Sequence, residues 1–368
     1  MAQQSQIELA GVFSSAMLFG PPMSDTLIEM VCHLFSPKEA VLARHLPYYI
    51  PRSAATIARR AKRDLSEVRD LLEVMADRKV IYRSDRGYAL LPLIPGMFEY
   101  MLMDGRDSDW YRKYAKLINA LFSSGYTRTY SSRKSPSIRN IPIYSAIEPS
   151  SRVMQPDMVS EMIDRHDKLA VLNVCQCRQS LEFDGKECSR SSSSDGCLVF
   201  GSFAESVVEN ESGYMVGKEE MKEIVTDRYE KNLVFMTANI EPSSPNAICT
   251  CCDCCCHYIE SINHFGGRIS LASPRFIANV DETLCNNCGR CVKVCNTYAH
   301  TMEGRQHHYD VEKCIGCGLC VSACKQRAVK MEDNPTYQKP SKNWAFHGLR
   351  ILPAGILSIL KVRLLRKK

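Results

Sequence analysis

The sequence predicts a multidomain α+β protein, and three observations lead to that expectation. A chain of 368 residues exceeds one ordinary domain and corresponds to two to four. Its N-terminal part carries helix-period apolar residues closed by a short hairpin pattern, whereas strand and helix patterns mix through the middle. Near the C-terminus a cysteine pattern recurs at a fixed offset, which implies two copies of one small unit. The expected segments are N-terminal helices (1–35), a helical domain closed by a hairpin (36–95), a helical connector with a Ser/Pro-rich loop (96–168), a central α/β Cys-rich domain (169–272), the repeat domain (273–335) and a basic amphipathic tail (336–368).

Composition narrows the chemistry. A hydrophobic content of 45% allows a real core. The nineteen cysteines are the unusual feature. The start, Met1-Ala-Gln-Gln-Ser-Gln, shows neither a basic region ahead of an apolar one nor twin arginines, so no export is expected. Without export, this cysteine density implies metal or redox chemistry in a reducing, anaerobic cytoplasm rather than a disulfide framework. The net charge of +6 is concentrated: residues 338–368 carry eight basic and no acidic side chains, leaving −2 on the rest. A generally basic nucleic-acid coat is thereby excluded.

In chain order, residues 1–35 hold apolar stretches around Leu9-Ala-Gly-Val12-Phe13 and Leu27-Ile28-Glu-Met30-Val31, with Ser24-Asp25 starting the second helix and Cys32 a core residue. Ser36-Pro-Lys-Glu then begins a helix, Pro47 and Pro51 break it, and Ser53 to Ala61 makes a short one. Ser66 is expected to cap a longer helix that buries Val68, Leu71, Leu72 and Met75, and a hairpin follows over Val80 to Leu91. This order resembles a winged helix-turn-helix. The resemblance places Arg59, Arg60, Lys62, Arg63, Arg69, Arg83 and Arg86 where DNA readers contact phosphate. However, residues 38–90 carry a net charge of only +5, and Glu67, Asp70, Glu73 and Asp77 line the would-be recognition helix. Docking to a protein is the preferred reading, with DNA as the alternative.

Helices are expected around Met97 to Met103, from Trp110 to Phe122 (Tyr114, Leu117, Ile118 and Leu121 on one face), and from Gln155 to His166, with a Ser/Pro-rich loop over Ser123 to Pro149. His166 reads as a surface residue. A strand, Leu169 to Val174, runs into Cys175-Gln-Cys177-Arg178; Cys188 and Cys197 follow, then a helical stretch over Leu198 to Val208 and an amphipathic helix over Lys218 to Tyr229. Cys249, Cys251, Cys252, Cys254, Cys255 and Cys256 next fill six of eight positions, a density with no packing rationale. These ten cysteines are candidate ligands of a third iron–sulfur centre, or of zinc, which needs only four of them. Asp253 occupies the first cysteine position of a Cys-x-x-Cys-His pattern, so covalent haem is not expected.

The repeat itself reads Cys285-Asn-Asn-Cys288-Gly-Arg-Cys291-Val-Lys-Val-Cys295 and Cys314-Ile-Gly-Cys317-Gly-Leu-Cys320-Val-Ser-Ala-Cys324. Every matched cysteine is offset by 29, as are Asp281 and Asp310, Ala299 and Ala328, and Met302 and Met331. Iron–sulfur clusters require soft thiolates, and three of them spaced by two residues can wrap one cubane on a tight loop. Gly289 and Gly318 are expected where backbone must come close to the inorganic core. A pair of zinc knuckles is the alternative, but eight cysteines in this register exceed its requirement.

The segment resembles the two-[4Fe–4S] bacterial ferredoxins, which implies a ferredoxin-like (βαβ)2 fold. In that pattern the fourth cysteine of each run serves the opposite cluster. The implied sets are Cys285, Cys288, Cys291 and Cys324 on one [4Fe–4S] and Cys314, Cys317, Cys320 and Cys295 on the other. Asn296 and Lys325 stand where the pattern usually has proline. A cation at Lys325 favours the reduced cluster, by about 2 kcal/mol at about 8 Å and an effective dielectric of about 20.

The whole layout, with Cys175-Gln-Cys177-Arg178, Cys249-Thr-Cys251-Cys252-Asp-Cys254-Cys255 and the two runs, resembles multidomain 4Fe–4S-binding proteins of anaerobes, and the resemblance implies electron transfer. The tail mixes Trp344, Phe346, Leu349, Ile351 and Leu352 with Ile356 to Leu360 and terminal basic residues. Arg350 and Lys361 bracket too few uncharged residues to span a bilayer, which leaves an anionic membrane surface or a partner protein as the tail's target. No acid/base pair, nucleophile constellation or glycine-rich nucleotide loop is present. The expected function is therefore a cytoplasmic electron carrier or wiring subunit, peripheral at the membrane in one form of the reading, that serves a flavoprotein or a membrane complex. The alternatives are a redox-sensing winged-helix regulator and a reductase subunit with catalysis at the central cysteines.

Overall fold

The computed structural model describes residues 2–126, 136, 138–142, 159–241, 246–265, 271–343, 345–350, 353 and 357. The chain divides into two compact units, Met1–Tyr130 with Gln179–Lys186 and Gly355–Lys368, and Ser131–Arg178 with Glu187–Ala354. Most of the Ser/Pro-rich loop, the start of the helix expected from Gln155, and the tail residues Trp344, Ile351, Leu352, Ile356 and 358–368 lie outside the described residues. Among the described residues no helix is long and apolar enough to cross a membrane.

The first unit is built on α1 (Gln4–Phe13), α2 (Asp25–Leu34), α3 (Pro37–Ala43), α4 (Ala54–Ala61), α5 (Leu65–Asp77), the hairpin β1–β2 (Tyr82–Ser84, Gly87–Ala89), α6 (Phe98–Leu102) and α7 (Asp109–Ser123). Side-chain oxygens satisfy helix starts that would otherwise leave amides orphaned. Ser24 accepts from the Leu27 amide, and Ser36 and Glu39 form a reciprocal capping box ahead of α3. For α5 the cap is Asp64, which accepts from the Ser66 and Glu67 amides. The expected Ser66 cap is corrected: a carboxylate two residues earlier reaches both amides, and Ser66 is already helical. Leu9, Phe13, Met30, Leu34, Phe35, Phe98, Ile118 and Phe122 are fully or almost fully buried and form the core. Gln6 ties α1 into it by donating to the Phe35 carbonyl at 2.8 Å.

The second unit centres on a six-stranded sheet in the order β3-β7-β8-β5-β4-β6, formed by β3 (Ile138–Ile141), β4 (Leu169–Leu172), β5 (Leu198–Phe200), β6 (Gly213–Met215), β7 (Val234–Ala238) and β8 (Ala247–Cys251). All five pairings are antiparallel, so the middle of the chain is α+β rather than an alternating α/β arrangement. The helical reading from Leu198 is corrected: Leu198–Phe200 is a buried strand, and α10 (Ser202–Glu209) starts only after Gly201. Strand alternation decides what each face carries. Phe235 and Ile248 point into a cluster with Leu198, Val171, Met221, Met162 and Ile163, the last three drawn from α11 (Lys218–Glu230) and α8 (Val159–Arg165). Val234 and Met236 point the other way, onto Ile259 and Ile262 of α12 (His257–Phe265) and onto Ile315 and Leu319.

The repeat follows as β9 (Phe276–Val280), α13 (Arg290–Val294), β10 (His300–Glu303), β11 (Gln306–Tyr309), α14 (Leu319–Ala323) and β12 (Val329–Asp333). The strands form two antiparallel pairs, β9 with β12 and β10 with β11. The first strand of the repeat thus pairs with its last. This closes the two halves on each other over a core of Ala278, Cys291, Cys295, Ala299, Cys314, Cys320 and Val329.

Candidate metal centres

In each half of the repeat three cysteines lie on the loop and first helical turn and the fourth ends the helix. Cys295 and Cys324 are the residues at which α13 and α14 stop, in extended backbone. Gly289 and Gly318 precede those helices at φ +69° and +84°, a left-handed conformation in which a side chain is strained. At Gly289 a Cβ would meet nothing nearer than Met302 at 3.7 Å. The left-handed backbone turn by itself favours glycine at that position.

A pocket is lined by Cys285, Cys288 and Cys291 of the first run together with Cys324 of the second. Of the remaining four, Cys295 and Cys314 lie close enough to act electrostatically on both Cys317 and Cys320. Burial pushes the Cys291 thiol up to about 11 and the Cys317 thiol up to about 12. Buried thiols of this kind are costly to ionise unless a metal supplies the compensating charge, which is the environment expected of soft metal ligands. A soft eight-sulfur donor set, with one cysteine of the second run joining three of the first around one pocket, fits iron–sulfur cofactors.

Residues 277–325 match the family model of the 4Fe–4S dicluster domain. The match contains all eight repeat cysteines, and it supports iron–sulfur cofactors in this part of the chain. No curated protein and no solved structure matches the chain.

The dicluster domain contains polar residues whose roles the sequence does not signal. Asn296, in place of proline, is buried; its side chain accepts from the Asp253 amide at 3.0 Å and donates to the carbonyls of Asn232 at 3.0 Å and Val294 at 3.2 Å. Proline could make none of these bonds. Lys325, the other replacement, is exposed. His300 lies 2.9 Å from His307, and both approach Cys291. Burial, then the neighbouring His307, lowers His300 to about 4 and keeps its ring neutral.

The ten central cysteines fall into two groups. Cys188, Cys252, Cys254 and Cys255 bring all four sulfurs within 4.8 Å of one another. Cys188 Sγ lies 3.6 Å from Cys252 and 3.5 Å from Cys254, and Cys254 lies 3.5 Å from both Cys252 and Cys255. Hydrogen bonds from Cys252, then Cys254 and Cys255, pull the Cys188 thiol far below its ordinary range. The second group is looser. Cys249 and Cys251 share one face of β8, opposite Met236 and Val234. Cys249 interacts with Cys197, and Cys251 with Cys256. Cys175, just before α9 (Gln176–Phe183), feels Cys249 and Cys256, and Cys177 in the first turn of α9 feels Cys197.

Arg178 lies against both groups and is almost fully buried. It donates to the carbonyls of Asp195 at 3.0 Å and Thr250 at 2.7 Å and approaches Cys252 Sγ at 3.9 Å. Burial opposes its charge, but the sulfurs of Cys175, Cys252 and Cys188 outweigh that effect and hold it protonated. The Cys-x-Cys-Arg spacing offers a signal for this residue; the carbonyls it meets are set only by the fold. Arg190 grips Asp253 with two bonds, of 2.6 and 3.0 Å, and fixes the loop that carries Cys252, Cys254 and Cys255.

Proposed function

We propose that this chain is an iron–sulfur electron-transfer protein. In this reading Cys285, Cys288, Cys291 and Cys324 hold one [4Fe–4S] cluster, and Cys314, Cys317, Cys320 and Cys295 hold the other, on a ferredoxin-like (βαβ)2 repeat. The observation that carries it is the pocket in which three cysteines of one run meet the last cysteine of the other. That crossing is the pattern of a two-cluster carrier and has no use in two independent zinc knuckles. Bound clusters would supply one-electron chemistry. The protein's own residues supply the thiolates, bury those of Cys291, Cys295, Cys314 and Cys320, and exclude water there with Ala278, Ala299 and Val329. The looser central group, Cys175, Cys177, Cys197, Cys249, Cys251 and Cys256, is the place for a further iron–sulfur centre.

The N-terminal module is proposed as a winged-helix-like docking element for a redox partner. Arg83 on the hairpin is held by Glu73 at 2.7 Å and Asp77 at 3.1 Å, and Arg63 is paired with Glu67. Cations committed to the acidic face of α5 are poorly placed to neutralise phosphates. This favours a protein partner, a flavoprotein or a membrane complex, over DNA. The basic tail is a second docking element, for that complex or an anionic membrane surface.

An anaerobic redox titration tests the electron-transfer reading. One-electron transitions, each with a slope of about 59 mV per decade, are expected inside the range of roughly −700 to +450 mV available to such clusters. A chain with no reducible transition in that window would refute it.

A further inference from the structure

Four of the central thiols are too tightly grouped for the chemistry of the repeat. A regular tetrahedron of sulfurs at the zinc–thiolate distance of about 2.3 Å has edges of about 3.8 Å. Cys188, Cys252, Cys254 and Cys255 show sulfur separations of 3.5 to 3.6 Å in each of the four measured pairs. All their sulfurs lie within 4.8 Å of one another. In a cubane each thiolate caps a different iron on the outside of the cluster, so the sulfurs are held apart by the cluster's bulk. Among the described residues no three of the eight repeat cysteines converge as closely as this quartet.

Sequence spacing leads to the same conclusion. Cubane ligands in the repeat are separated by two residues, which spreads them around a bulky core. Cys252-Asp-Cys254-Cys255 instead compresses three sulfurs into four positions, so that they close on a single point, and Cys188 arrives from a separate loop as the fourth corner. The surroundings suit a compact anionic centre. Arg178 faces Cys252, and Arg190 fixes the loop through Asp253.

We propose that Cys188, Cys252, Cys254 and Cys255 bind a single tetrahedral zinc ion, separate from the iron–sulfur centres. Four thiols release four protons as one divalent ion binds, leaving a centre of net charge −2 beside the two guanidiniums. With no open coordination position and no redox chemistry at zinc, the site is structural. It fixes the loop on which the Asp253 amide meets Asn296, immediately after Cys295. The ion thereby anchors the central sheet to the dicluster repeat. This inference is independent of the electron-transfer reading, since it concerns none of the repeat cysteines.

The test is metal analysis and zinc-edge X-ray absorption on full-length protein prepared without air, with both zinc and ferrous iron supplied during expression. The expected result is one zinc per chain with four sulfur neighbours at about 2.3 Å. A Cys188→Ser/Cys254→Ser double variant should lose zinc at least tenfold while its repeat-bound iron is unchanged. The absorption spectrum of the unaltered protein stands even if that variant does not fold. Iron in the quartet, alone or in a cluster, overturns the assignment, as does zinc that persists in a folded double variant. Loss of the electron-transfer reading would instead appear as absence of iron from the repeat, with the quartet's zinc still present.

Discussion

Lys325 follows Cys324 at a position where the ferredoxin pattern has proline, and its exposure decides how much its charge matters. In water, a unit charge about 8 Å from a cluster contributes about 0.5 kcal/mol, a quarter of what a partly buried cation would. Lys325→Gln should therefore lower the potential of the cluster that includes Cys324 by only about 20 mV in a one-electron titration. A second prediction concerns His33, whose ring nitrogen meets the Trp110 carbonyl at 2.8 Å between α2 and α7. Burial lowers its pKa below the ordinary 6.5. On acidification the unfolded chain takes up this proton before the folded one does. Stability is accordingly complete above about pH 6.5 and declines as the pH falls from there toward the lowered folded value. Thermal melts of the first unit should show that decline, and His33→Gln should flatten it. Neither Arg178 nor Asn296 can be understood from its letter alone. Their roles depend on the Asp195, Thr250 and Asn232 carbonyls, which come together only in the folded chain.

At the scale of elements, periodicity makes the longer helices readable: α5 and α7 have strongly patterned faces, and they and the more weakly patterned α11 lie within a residue or two of where the pattern puts them. Strands β7 and β8 are not evident from the sequence. In Ala247-Ile-Cys-Thr-Cys the alternate positions on the face toward α12 are cysteines, whose ligand character masks an ordinary alternation. β5 is three residues long and runs almost directly into α10, so its apolar run reads as part of a helix. Both β5 and β8 support the central cysteines. Ile248, fully buried between β5 and β7, is the test: Ile248→Ala should cost about 2–5 kcal/mol and lower the denaturation midpoint of the second unit. The acidic face of α5 gives another prediction. Binding to a DNA duplex should be weak in both redox states, without the steep salt dependence of a protein that neutralises many phosphates. A steep slope in one redox state alone would favour the regulator alternative.

For the molecule as a whole, the repeat is the most legible part, because the offset of 29 picks out eight ligand candidates from spacing alone. The division of the ten central cysteines is not legible in that way. Neighbours in sequence such as Cys251 and Cys252 go to different groups, since a strand ends between them and the following loop turns its thiols toward Cys188. The electron-transfer reading rests on thiolates crossing between the two runs to hold two cubanes. Cys324→Ser probes this most directly, read by iron and acid-labile sulfide per chain beside the unaltered protein. The prediction is that about four irons and four sulfides disappear, with the second run's cluster retained. If that substitution instead depletes the cluster held by Cys314, Cys317 and Cys320, or leaves iron content unchanged, the crossed arrangement is wrong.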